Sequence, residues 1–523
     1  MIQSRPLTWP LLLMTALSVS IGWGVRGQFG HEYGAALAGA LGGMTVCLLS
    51  GRQDWLPRIH YFAILGAIGF AYGGAMSYMK TIAYIHSSDS ATVLYGFACV
   101  FVLGALWTAP AAAGLGLAAC LDRDQLTRLF LPIAGIFLVW HFADFRGVYR
   151  SLPWLRYLGE TAFTGLLAIL VVAVMLLIRR RLWGDGALLI VSMAIGSSMG
   201  HLLLIELLHL DMNPPRGDTW ASNAGLAGGI LFYCWRRRRG AVAFATLGGL
   251  LLGGIGFAAG GATKLLVMSS GYDTNWHSIM EQSQGFFLGL ALAVTMGFLS
   301  VRTPKLTEAP SVRRWTEVFS VVTVLCLLPY LNLRHAPEEW TNEIEGLKPV
   351  IYGIRINGDF VFSRGFLGWF DMVFLAIAIA MVFLLALHLR RPLPLIPESW
   401  MGKGQLFYLV FLWTVVSINF MDVLPRFTPI RLVTEWFITI NAAACTLLVV
   451  VGCFLRDGRT LPGQADARYG GWIRNLVLAG LAGAVAMSFS GWAIKRALYG
   501  DGPAGKVNVD QIRFGPRNTN TKR

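Results

Sequence analysis

Apolar runs long enough to cross a bilayer recur along the whole chain, and this pattern restricts the fold more than any motif. A helix needs about 20 mostly apolar residues to span the hydrocarbon core. Runs of that order fall at roughly 7–25, 35–50, 61–84, 92–119, 128–143, 161–178, 187–210, 221–235, 241–268, 279–300, 315–332, 366–389, 405–422, 430–454 and 471–492. The expected fold is an all-α polytopic integral membrane protein with about 14–15 transmembrane helices. Alternating ten-residue strands of the kind that build a membrane β-barrel are absent from the sequence.

Charge supports this class. Only 14% of residues are charged, against about 25% in soluble domains. The net charge of +15 comes largely from arginines in the turns between runs. The positive-inside bias makes the Arg-rich side cytoplasmic and places the N-terminus there, in a cell inner membrane. No sizeable basic soluble domain exists to hold nucleic acid. Seven cysteines form no CxxC pair, and no phosphate-binding loop or other cofactor motif occurs. The lipid bilayer and a small solute are therefore the expected partners, with no cofactor.

Internal similarity suggests duplication. Gly66–Ala75 reads GAIGFAYGGA and Gly253–Ala262 reads GGIGFAAGGA, identical at eight of ten positions. These stretches lie in the third and ninth runs. A six-span step is even, so the two copies insert in the same sense, as parallel repeats. The expected division is 1–182 as a first six-span repeat and 183–392 as a second, with an external loop at 333–365. Further spans occupy 393–498, and 499–523 form a disordered tail. In plan this resembles the major facilitator superfamily, although residues 51–58 lack that family's Gly-x-x-x-Asp-Arg-x-Gly-Arg pattern. The likeness is one of architecture and implies no activity.

The stretch Gly22–Gly34, GWGVRGQFGHEYG, places Arg26, His31 and Glu32 among five glycines between the first two runs. It reads as a glycine-dense turn that leaves helical geometry and lines a cavity. Intramembrane charges are costly and normally face a partner or a cavity. The candidate substrate-binding or coupling residues are accordingly Arg26, His31, Glu32, Glu206, His209, Lys264, Asp371 and Asp422. Glu206 and His209 share a helical face at i, i+3. The favoured function is a secondary transporter of a small polar or anionic solute, coupled to protons or sodium. The alternatives are a membrane-embedded transferase acting on a lipid-linked substrate, using His141 with Asp144 or His31 with Glu32, and a non-catalytic envelope-assembly component.

Overall fold

The computed structural model describes residues 6–27, 29, 31–74, 76, 78–130, 132–133, 153–178, 184–210, 212, 219–306, 315–334, 336, 340, 355–356, 359–360, 369–423, 428–454 and 469–505. The chain is an all-α polytopic membrane protein. Its helices are α1 (Trp9–Arg26), α2 (His31–Leu49), α3 (Ile59–Gly74), α4 (Met79–Ile85), α5 (Ser90–Cys120), α6 (Pro153–Ile178), α7 (Asp185–His201), α8 (Thr219–Arg236), α9 (Gly240–Met268) and α10 (Trp276–Ser300). After these come α11 (Trp315–Val322), α12 (Leu328–Leu333), α13 (Trp369–Arg390), α14 (Trp400–Val423), α15 (Leu432–Phe454) and α16 (Tyr469–Tyr499). Residues Leu202–Leu207 and Thr323–Leu327 are π-helical, extending α7 and joining α11 to α12. A two-residue antiparallel ribbon pairs Arg355–Ile356 with Asp359–Phe360.

Fourteen of the fifteen expected runs coincide with these helices; the run at 128–143 lies mostly outside the described residues. Among the described residues ten helices are long and apolar enough to cross a membrane, or eleven if α3 and α4, bent by 71°, count as one span. The others, such as α1 and α8, are helical but shorter or more polar, and α1 owes its place to burial within the bundle. Caps fix several ends: the Asp89 carboxylate accepts from Thr92 N–H at 2.7 Å, and Asn275 Oδ1 accepts from Ser278 N–H at 3.2 Å.

Small residues set the packing. A Cβ on Gly39 would collide with the Gly66 carbonyl, and one on Gly66 with that of Gly39, while Gly43 abuts Phe62. The number rises on one helix as it falls on the other, so α2 and α3 are antiparallel. The α7–α8 pair repeats the arrangement: Gly196 and Gly225 meet reciprocally, Gly200 abuts Ala221 and Gly229 abuts Ser192. Such backbone approach lets helices associate in lipid by dispersion and close fit.

Senses can be carried through the bundle. Gly69 meets Ala111 and Gly73 meets Trp107, making α3 and α5 antiparallel. Gly104 meets Phe257, and Gly116 meets Ala245, making α5 and α9 antiparallel. The tight turn between Arg236 and Gly240 makes α8 antiparallel to α9. The α2–α3 hairpin and the α7–α8 hairpin therefore run in opposite senses. The two stretches whose sequences match so well have different neighbours: Gly66 on α3 packs on α2, whereas Gly253 on α9 packs on Thr108 of α5. Small residues recur in both because both approach a backbone closely.

The arginine-rich turns gather at one end. Arg52, after α2, donates to the carbonyls of Ser300, Thr303 and Pro304 at the end of α10. Arg58 donates to those of Ala118 and Leu121 at the end of α5. Both are about 1% exposed. They satisfy helix-end carbonyls that have no partner within the helix, in the favourable field of the helix C-terminus. This is the end at which α1 begins. Tyr469, opening α16, donates to Arg302 O at this end, and Ala504, just past α16, bonds to His86 at the other. The C-terminal segment to residue 505 thus emerges opposite the start of α1, as an odd number of spans requires.

Candidate functional site

The Gly22–Gly34 stretch is not a long turn. α1 continues through Gly22 and Gly24 to Arg26, and α2 starts at His31. The glycines serve close packing. A Cβ on Gly22 would strike Ala38, one on Gly24 Gln282, one on Gly27 the Glu281 carboxylate, and one on Gly34 the backbone of Arg26. The density of glycine marks where α1, α2 and α10 press around one buried charge.

That charge is Arg26, 1% exposed. Its Nη1 donates to Glu281 Oε1 at 3.1 Å and to Tyr78 Oη at 3.0 Å. Tyr78 Oη donates to the same carboxylate oxygen. His277 Nε2 stands 3.4 Å from it, one turn earlier on α10. The guanidinium carbon lies 4.7–5.0 Å from the ring centres of Trp23, Tyr78 and Trp107, within cation–π range. Phe70 and Phe257 close the box against Trp23. Burying an ion pair costs several kcal/mol per ion unless geometry and hydrogen bonds are good; here three donors converge on Glu281 and three aromatic faces enclose Arg26.

Tyr78 is delivered by the break between α3 and α4. Lys264 on α9 acts electrostatically on the Glu281 carboxylate and on His86 beyond α4. His86 is buried, its Nδ1 2.8 Å from Ala504 O, while Ala504 N–H donates to His86 O at 2.9 Å. Burial and the Lys264 charge hold its imidazole down to about 4.

Beside this cluster lies a cavity of about 150 Å³. Its walls come from both oppositely directed hairpins: Gly69 and Tyr72 of α3, and Met193, Ala194, Ser197 and Asn223 of α7 and α8, with Pro110 and Ala113 of α5 between. Glu32 and Tyr33 stand at its edge. α3 is the partition, with Gly69 and Tyr72 on the cavity and Phe70 and Gly73 against Trp23 and Trp107. The expected turn therefore splits: Arg26 enters the buried cluster and Glu32 the cavity.

The other expected residues scatter. Lys264 lies within electrostatic reach of Glu281 and makes no ion pair with it among the described contacts. Asp422 is 2% exposed and interacts with Glu435, which accepts from Asn419 Nδ2. Gln282, next to Glu281 on α10, donates from Nε2 to the carbonyl of Thr434, next to Glu435, at 3.0 Å. The expected Glu206–His209 face does not form. The π-turn at 202–207 brings Glu206 to His201 at 3.5 Å, and His209 lies beyond the helix at φ 53°. The side chains of His31 and Asp371, together with His141 and Asp144, lie outside the described residues. Tyr78, Trp107 and the Arg26–Glu281 pairing escaped the sequence reading. One signal was present: the run at 61–84 continues well past Gly73-Gly74, where a single straight crossing would end.

No family model, no curated protein and no solved structure matches this chain.

Proposed function

We propose that the protein is a secondary transporter of a small solute, with the cavity between the two oppositely directed hairpins as the cargo site. The cavity carries this reading. Its lining runs from Glu32 near the start of α2 to Val242 near the start of α9, and its walls belong to two hairpins packed alike but inverted, the arrangement in which many transporters alternate access. α2–α3 and α7–α8 would be the equivalent parts of a five-span inverted repeat, in place of a six-span parallel one. In the inner membrane, the end carrying Arg52, Arg58 and Arg236–Arg239 would face the cytoplasm.

The lining narrows the cargo. Among its described residues are Glu32, Tyr33, Tyr72, Ser197 and Asn223 but no Lys, Arg or His. An anion would find no counter-charge there. About 150 Å³ is the size of an apolar cavity that takes a single benzene-like ring. The cargo is then a compact molecule with an apolar body and one uncharged or cationic polar end.

The test is counterflow into proteoliposomes preloaded with unlabelled solute, using labelled benzyl alcohol, phenylethylamine and benzoate as probes. The alcohol or the amine should accumulate above protein-free vesicles and the carboxylate should not. Ala194→Trp, which fills the cavity, should abolish accumulation while the protein stays monodisperse. Failure of all three probes with folded protein, or undiminished accumulation by the filled variant, would overturn the proposal.

A further inference from the structure

We infer that Arg302 binds the phosphodiester of an anionic phospholipid, at the place where the end of α10 meets the start of α16. The guanidinium is already held in position. Its carbon lies 4.0 Å from the ring centre of Trp472 on α16 and 5.3 Å from that of Phe298, one turn back on α10. Its Nη1 donates to Phe298 O at 2.8 Å. The backbone beneath it is fixed as well. Tyr469 Oη donates to Arg302 O at 3.2 Å, and Arg52 holds the carbonyls of Ser300, Thr303 and Pro304 on either side. Two rings and one carbonyl therefore orient the group. Its Nε and Nη2 have no partner among the described residues and are open to the surroundings. That free edge of the planar fork matches two oxygens of one phosphate.

What Arg302 lacks is a counter-charge. Among the described residues the one ionisable group that acts on it electrostatically is the phenol of Tyr469. Other arginines at this end have carboxylates: Arg52 pairs with Asp54, and Arg237 and Arg239 share Asp185. The surroundings of Arg302 add positive charge. Gly240, which follows the Arg236–Arg239 run, abuts the Tyr469 ring. Arg236, Arg238 and Lys305 are exposed and form no ion pair among the described residues. The bilayer supplies the missing anion. Trp472 is 49% exposed, and Trp235 beside the arginine run is 73% exposed; tryptophans of this kind lie at headgroup level. An arginine at that depth, with part of its water replaced by two rings, meets lipid phosphates. A zwitterionic headgroup brings its own ammonium into this positive field, so a net-anionic one is preferred. Arg236, Arg238 and Lys305 attract the lipid at long range, and Arg302 offers the preorganised fork. The site follows from the chain's place in a membrane and does not rest on the transport reading.

Native mass spectrometry of the full-length protein tests it, with titrations of phosphatidylglycerol and of phosphatidylcholine carrying the same chains. Phosphatidylglycerol should bind about tenfold or more tightly than phosphatidylcholine. Arg302→Ala should remove that preference. Arg302→Gln keeps a donor for Phe298 O without the charge, and it decides the matter if the alanine variant does not fold. Arg302→Lys keeps the charge without the fork and should retain part of the preference. Trp472→Leu removes the stacking ring and should weaken phosphatidylglycerol binding severalfold. Arg236→Ala combined with Arg238→Ala should cost a smaller factor than either neutral Arg302 variant; an equal or larger cost would reduce the site to a general field and overturn the proposal. Equal binding of the two lipids, or a preference that survives in the neutral Arg302 variants, would overturn it too. Displacement of phosphatidylglycerol by inorganic phosphate would make this a site for a free anion and refute the lipid.

Discussion

Replacing Arg52 by alanine should be among the most destabilising single changes outside the site. The five N–H groups of the guanidinium reach six acceptors, Nη1 sharing two hydrogens among three: Ser300 O at 2.7 Å, Thr303 O and Oγ1 at 2.9 Å, Pro304 O at 2.8 Å, and both Asp54 oxygens at 2.8 and 2.6 Å. Alanine leaves helix-end carbonyls and a 7%-exposed carboxylate without it. Removing one partner of a buried pair costs about 3–5 kcal/mol, so Arg52→Ala should lose that amount. Asp54→Asn keeps an acceptor and loses only the charge, for about 1–2 kcal/mol. Arg52→Lys keeps the charge without the planar fork and should fall between. Burial pushes Asp54 up, but Arg52 and the Leu306 N–H outweigh it and hold the carboxyl below its usual range. Its contribution is therefore present above the ordinary value of 3.8 and lost as pH falls through the lowered one. Equilibrium unfolding by SDS in mixed micelles, followed by helix content, measures all three variants. An Arg52→Ala protein within about 0.5 kcal/mol of wild type, the range of ordinary surface substitutions, would refute the capping argument.

Two further outcomes can be checked on the same preparations. Gly39→Ile and Gly196→Ile, each driven against a facing backbone, should cost similar amounts, at least the ~1–3 kcal/mol typical of overpacking; a large cost at one and none at the other in the SDS assay would deny the equivalence of the hairpins. His86 is kept neutral by the fold, so stability should be fully present above pH 6.5 and fall as pH drops toward 4, by about 3 kcal/mol at ~1.4 kcal/mol per pH unit. His86→Asn should flatten that part of the melting-temperature profile, and an unchanged profile would contradict it.

The spans were legible because lipid imposes length and apolarity on each run separately. Arg26 and Lys264 stood out for the same reason: a charge in such a run needs an explanation. Their meeting point was not legible. Glu281 lies 255 residues from Arg26, and no local pattern encodes a pairing made by three helices. Glycine misled at the first turn, where Gly22 and Gly24 read as leaving helical geometry but lie within α1. A residue without a side chain permits both a bend and a close approach, and only the neighbouring helix decides between them. At 202–207 a π-turn displaced the i, i+3 face expected for Glu206 and His209.

The Arg26–Glu281 pair also bears on how the protein is made. Arg26 leaves the ribosome 255 residues before its counter-charge. At ~5–20 residues per second the interval is about 13–50 s. Throughout it Arg26, the last residue of α1, lacks the Glu281 carboxylate that faces it in the finished protein. The cluster around Arg26 is therefore completed only when α10 is made, after more than half the chain has been synthesised.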